Sequence, residues 1–198
     1  MLELTRHVII GIDLAGKPQN PSGWAVWKKK RVKTSLVYTD GEIMEGVVQN
    51  KPTVIAIDAP LHLPKEGALR KADKEMIMKG YRVFPPRLPG MRKLALLAIK
   101  LNRNVATTGY KRIEVHPTST RKALCMPPKD WGKIQTILAH IGLEGDVRVR
   151  TLNSHEIDAV TAALTAYLYL RNQTEALGDE EEGYIFVPEK RNWRTLKL

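Results

Sequence analysis

The chain has 198 residues, 43% hydrophobic and 27% charged, which describes a folded domain with a sizeable core and excludes a disordered or fibrous chain. Its net charge of +11, from 32 Lys and Arg against 21 Asp and Glu, points to a polyanionic partner, nucleic acid first; the plainer alternative is a well-solvated, charge-rich surface. No run is long enough for a transmembrane helix, residues 1–7 carry no signal-peptide features, and the single Cys125 excludes an internal disulfide, so a cytoplasmic protein without a membrane partner is expected.

In chain order, residues 8–14 read as a central strand, apolar almost throughout. A loop at 16–22 precedes a second strand at Trp24-Ala25-Val26-Trp27, a turn at 28–31 and a third strand at 32–38, together an antiparallel meander. Residues 42–49 space Ile43, Val47 and Val48 as a short helix does, and Pro52 precedes a fourth strand at 53–58. Helices are expected at 68–80, ending at a Gly cap, and at 91–101, joined by a rigid Pro-rich connection; the whole segment 62–108 reads as a helical insertion on a single domain spanning 1–198. A fifth strand at 112–116 is stopped by Pro117. A helix at 131–141 and a short extended segment at 147–152 follow. Asn153 and Glu156 form a capping pair for a helix running to about residue 171, an acidic loop spans 179–182, and a late strand is expected at 184–187.

Three antiparallel strands, a helix, a strand, helices, a strand and further helices are the order that a ribonuclease H-like core requires. The expected architecture is α/β, a mixed five-stranded sheet flanked by helices. Its first and fourth strands lie parallel, with their C-terminal ends together.

Both of those strands end in an acid. Asp13 closes Val8-Ile9-Ile10-Gly11-Ile12-Asp13, and Asp58 closes Val54-Ile55-Ala56-Ile57-Asp58. An acid at the end of an apolar strand is costly unless it is paired or binds a cation; the simpler role is to order the following turn. Asp158 lies in the first turns of the last long helix, one turn from His155, beside a small-residue face of Ala159, Ala162, Ala163 and Ala166 that lets the helix approach the sheet. Complementing the helix dipole is its simpler role. Glu114 stands on the fifth strand on the face opposite Ile113 and Val115, either as a fourth ligand or paired with Arg112 or a lysine. Carboxylates gathered in one pocket repel each other, and Mg²⁺ or Mn²⁺ resolves that conflict while supplying phosphoryl chemistry. The metal ligands expected are therefore Asp13, Asp58 and Asp158, with Glu114 and His155 as further catalytic candidates. No zinc spacing, P-loop or dinucleotide fingerprint is present.

Arg70 and Asp73, one helical turn apart, read most simply as an ordinary i,i+3 ion pair; they are also substrate-binding candidates because their segment can cover the site. So are Lys29, Lys30 and Arg31, the densest basic run, near Trp24 and Trp27. The tryptophans read more simply as core.

Gly11-Ile12-Asp13-Leu14-Ala15-Gly16 with Gly23-Trp24-Ala25, then Ile57-Asp58-Ala59-Pro60-Leu61, resemble a domain-of-unknown-function family of predicted ribonuclease H-like nucleases. The resemblance continues through Arg70-Lys71-Ala72-Asp73, Phe84-Pro85-Pro86, Glu114-Val115-His116-Pro117 and His155-Glu156-Ile157-Asp158-Ala159, over about residues 8–170. It implies the fold and a metal-dependent nuclease. The His155-x-x-Asp158 pair is also similar to the ending of bacterial Holliday-junction resolvases, where a helix-borne His and Asp accompany acids on the first and fourth strands. Here the fourth-strand acid is Asp58 in place of Glu, one methylene shorter. The first-helix glutamate of ribonuclease H has no equivalent, since Glu42 and Glu45 lie in no recognisable motif.

The leading expectation is hydrolysis of phosphodiester bonds in DNA or RNA. The alternatives are a non-catalytic nucleic-acid-binding protein on the same fold and, further off, a phosphotransferase or ATPase of the sugar-kinase and actin type, which needs a second domain. The sequence leaves the oligomeric state open, a dimer included.

Overall fold

The apolar run that ends in Asp13 forms β1 (Val8–Asp13), at the centre of the sheet. In the computed structural model, which describes residues 7–17 and 19–198, β1 pairs antiparallel with β2 (Ser22–Lys28), and β2 with β3 (Arg31–Val37). The absence of leader features in residues 1–6 lies outside the described residues. The Thr39 side chain accepts from the Glu42 amide at 3.1 Å and starts α1 (Asp40–Asn50). β4 (Val54–Asp58) then returns parallel to β1. α2 (Lys71–Met78) and α3 (Pro89–Ala106), both within residues 62–108, lead to β5 (Lys111–Val115), parallel to β4.

After β5 come α4 (Pro117–Ala123), α5 (Trp131–His140), a two-residue β6 (Glu144–Gly145) and the short α6 (Asp146–Val149). The chain ends with α7 (Ser154–Tyr169) and a hairpin of β7 (Thr174–Asp179) and β8 (Gly183–Pro188). The described strands form one sheet in the order β6-β3-β2-β1-β4-β5-β8-β7. The expected mixed core of five strands is thus present, lengthened at both edges.

Three elements differ from the sequence reading. Pro117 does more than stop β5: it opens α4, where its missing N–H would have had no helical partner. Residues 146–149 are helical where an extended segment was expected, and only the residues after them are extended. The acidic 179–182 segment is the turn between β7 and β8, and β7 has a burial pattern too weak to reveal a strand.

Pleating sorts the strand residues between two layers. Ile9, Val54, Ala56, Ile113 and Val115 pack with Ile157, Val160 and Ala163 of α7. Ile10, Ile12, Ile55 and Ile57 pack with Ile43 and Val47 of α1 and with Ala98, Leu101 and Val105 of α3. Each such aliphatic side chain contributes about 1.5–3 kcal/mol on full burial, which explains why β1 and β4 carry no polar side chain before their last residue. α7 begins with the expected reciprocal cap: Asn153 Oδ1 accepts from the Glu156 amide at 3.0 Å, and Glu156 Oε2 accepts from the Asn153 amide at 3.1 Å.

α7 lies very low on the sheet. A Cβ on Gly11 would stand 2.0 Å from the Ala159 carbonyl oxygen, and one on Gly23 would stand 2.0 Å from that of His155. No helix among the described residues is long and apolar enough to cross a membrane.

Candidate functional site

Asp13 and Asp58 are direct neighbours in the parallel register of β1 and β4. Adjacent strands run about 4.8 Å apart, and the pleat turns both residues to the α7 side, in step with Ile9 and Val54. Asp158, in the second turn of α7, joins them from above, close enough for its charge to act on both strand acids. The close approach allowed by Gly11 and Gly23 brings it there.

The three carboxylates are unequally supported. Asp13 Oδ2 and His155 Nδ1 lie 2.7 Å apart. An ionised carboxylate only accepts, so Nδ1 is the donor; in the neutral form of this half-exposed ring Nε2 is then the acceptor. Asp158 accepts from Nη1 of Arg121. Asp58 has no hydrogen-bonding or ion-pair partner among the described residues. Burial pushes Asp13 up to about 6, with the Asp158 charge adding and the His155 hydrogen bond opposing. Asp58 is raised well above the usual carboxylate range, first by burial and then by the charges of Asp13 and Asp158. Asp158 is raised by burial despite Arg121.

Arg121 carries the compensating charge and was not singled out from the sequence. It is 1% exposed, donates from Nε to the Pro128 carbonyl at 3.0 Å and lies 5.2 Å over the Trp131 ring. The available signal was Pro117 read as a helix start, which makes Arg121 a residue of the second turn, at the same sheet edge.

Glu114 stands beside Ile57 in the register, on the opposite face from Asp13 and Asp58. It is held by Arg70, with Nη1 donating to Oε2 at 2.7 Å and Nη2 to Oε1 at 2.6 Å, and by the Leu61 amide at 2.7 Å. Arg112, the partner considered from the sequence, instead donates to Asn102 Oδ1 at 2.8 Å. Arg70 also holds Asp73 through Nε at 3.0 Å and Nη2 at 2.9 Å, so the i,i+3 pair is two members of a buried triad. These side chains line one cavity of about 190 Å³ together with Asp13, Asp58 and His116. His116, pushed down to about 4 by burial, is a neutral imidazole whose Nδ1 lies 2.7 Å from Ser119 Oγ.

Lys29, Lys30 and Arg31 are elsewhere. Lys28 pairs with Val8, at the opposite end of β1 from Asp13, so the basic turn is about 16 Å along the strand from the acids. Trp24 and Trp27 are buried, and Trp27 stacks on Tyr167 with centroids 4.8 Å apart. No three His, Cys, Asp or Glu side chains among the described residues stand in a ready-made metal cage.

The fold has a solved counterpart. The chain is similar to Thermus thermophilus RuvC in complex with Holliday junction substrate, with a TM-score of 0.54 and 17% identity over 83% of this chain and 96% of that one. A second structure of Thermus thermophilus RuvC gives a TM-score of 0.47 and 18% identity, over 83% of this chain and 96% of that one. The likeness to the junction-bound structure, together with the sheet order, shows the ribonuclease H-like fold. No curated protein matches the chain. The model of the family described as Protein of unknown function (DUF429) matches residues 11–183, nearly the whole chain. The chain belongs to that family.

Proposed function

We propose that the protein is a divalent-metal-dependent phosphodiesterase acting on nucleic acid, with its reaction centre at Asp13, Asp58 and Asp158. The observation that carries this reading is Asp58: a carboxylate without a partner among the described residues, in register with a second acid and within reach of the charge of a third. Kept ionised at neutral pH, such an arrangement is unfavourable, and it is relieved either by proton uptake or by a cation that completes it. The donor set is all oxygen, which suits Mg²⁺ or Mn²⁺. The lack of a three-residue cage fits such an ion, because Mg²⁺ is commonly held by one or two carboxylates with waters and substrate phosphate making up the rest. Asp13 and Asp58 would hold it, each with an oxygen not engaged by His155 or Arg121, and Asp158 would complete the field. Bound there, the ion supplies charge stabilisation for the phosphoryl group and lowers the pKa of an attacking water.

The chain's own residues divide the remaining work. His155, oriented through Nδ1 by Asp13, offers Nε2 to take a proton from water. Arg121 fixes Asp158 and keeps one positive charge beside the acids. The net charge of +11 supports a nucleic-acid substrate through phosphate contacts, and Lys29, Lys30 and Arg31 would touch its backbone away from the cut. The likeness to a junction-bound RuvC makes branched DNA a substrate to try beside linear DNA and RNA.

Calorimetric titration of Mn²⁺ and Mg²⁺, paired with cleavage of those substrates, tests the reading. Asp13→Asn and Asp58→Asn together should abolish metal binding and lower cleavage by more than about 100-fold, the upper range for losing a mere supporting group around a metal. Full metal-dependent cleavage by that variant would end the proposal. Salt-dependent nucleic-acid binding without turnover would instead favour a non-catalytic binding protein.

A further inference from the structure

The cavity beside the acids has a chemistry of its own. Its walls are apolar, formed by Leu14, Val83, Phe84, Met91, Leu94 and Ile185. Its polar lining includes Arg70 and the neutral His116. Four of the five N–H groups of Arg70 are used on Asp73 and Glu114, and the second N–H of Nη1 has no partner among the described residues. His116 uses Nδ1 on Ser119, and its Nε2 likewise has none. The guanidinium is 1% exposed, so this is a polar group fixed before any ligand arrives.

Charge decides what enters. Away from Asp13 and Asp58, Asp73 and Glu114 line the cavity against one cation, Arg70, so a phosphate is repelled from the depth of the cavity. A flat, uncharged ring with hydrogen-bonding atoms on its edge is favoured. The volume, about 190 Å³, is below the ~300–1,000 Å³ of a site for a drug-sized ligand, which leaves room for one ring system and not for a base pair. Phe84 is 69% exposed, and a large apolar side chain so placed offers a stacking surface at the mouth.

We propose that this cavity receives a single unstacked nucleobase, belonging to the strand whose phosphate lies at Asp13 and Asp58. The base stacks against Phe84 and accepts a hydrogen bond from Arg70 inside. The inference rests on the phosphodiesterase reading and adds a requirement to it: next to the reacting phosphate the strand must be open, as in a single strand, a loop or a branch point, because a paired base cannot enter. Arg70 then binds the base, and Glu114 holds Arg70 in place instead of serving as a metal ligand.

The probe is a short single-stranded DNA, and the matching RNA, carrying 2-aminopurine at one position at a time, bound in Ca²⁺. One position should brighten several-fold as its base leaves the stack. Val83→Trp, which fills the cavity, should abolish that rise, and Phe84→Ala should reduce it. Retained Mn²⁺ binding by calorimetry and an unchanged melting temperature will show that Val83→Trp leaves the fold and the acid edge intact; Leu94→Phe replaces it if it does not fold. A wild type that binds Mn²⁺ and cleaves the oligonucleotide, yet brightens no position or all equally, overturns the base site and leaves the phosphodiesterase standing. A persisting rise in the filled variants also overturns it. A wild type that binds no metal and cleaves no substrate overturns the phosphodiesterase reading, and the base site falls with it.

Discussion

Two groups of carboxylates share one end of the sheet and are balanced in opposite ways. Glu114 and Asp73, on the α3 side, close on one buried guanidinium through four hydrogen bonds, and the Leu61 and Arg70 amides add two more. Asp13, Asp58 and Asp158, on the α7 side, have one guanidinium and one histidine among them, and Asp58 has neither. The first group is finished as it stands. The second is short of positive charge at the point where two strands and a helix deliver their acids. The difference teaches that acidity at a strand end alone does not single out a candidate ion site: the unmet charge of the second group is what makes it the candidate.

The comparison breaks first at Arg70. Arg70→Met leaves two buried carboxylates uncompensated and should cost about 3–5 kcal/mol in urea unfolding, with or without metal. A loss below about 1 kcal/mol, the scale of a surface pair, would mean the triad is not the closed unit described.

Acid sharpens it next. Asp13, raised by burial to about 6 from an ordinary value of 3.8, binds a proton more tightly folded than unfolded. Its contribution is fully present below about pH 4 and is lost as pH rises through about 6. Metal-free wild type should therefore lose about 1–3 kcal/mol relative to Asp13→Asn between roughly pH 4 and 7. His116, held down near 4, acts in the opposite sense over that window, and taking the difference between the two proteins removes it.

Asp58→Asn gives a smaller effect of unusual sign. Without metal it should stabilise the protein at neutral pH by about 0.5–2 kcal/mol, because an amide replaces a carboxylate held far above its usual range. The same change should shrink the melting-temperature rise produced by Mn²⁺. Destabilisation without metal would show that Asp58 has a partner of its own. Smallest is the hairpin: Lys30→Ala or Arg31→Ala should each lower the salt slope of nucleic-acid binding by about 1 and leave Mn²⁺ affinity unchanged.

Much of this was legible in the sequence, for physical reasons. Strand periodicity placed Asp13 and Asp58 as the ends of two apolar runs, and a row of alanines showed that α7 sits close to the sheet. The same alternation put Glu114 on the face away from Ile113, but it could not show which cation waited there, because Arg70 comes from 44 residues away. Arg121 was hidden for a related reason. Pro117 carries one signal for the end of a strand and another for the start of a helix, and only the second leads to a buried arginine. The basic turn was legible as a turn, but its distance from the acids follows from the pairing of Lys28 with Val8, a register that composition does not encode.

Gly11 and Gly23 have a reach beyond their size. Neither bears a functional group, yet the two absent methyls set the height of α7 and with it the gap between a helix acid and two strand acids. The spacing of the three acids is thus set from beneath, by residues that carry no side chain. A single methyl at either position would force α7 away from the sheet and change the spacing of the carboxylates without removing one, so a relative with all three acids intact but a larger residue at Gly11 would be expected to keep the signature and lose the close grouping.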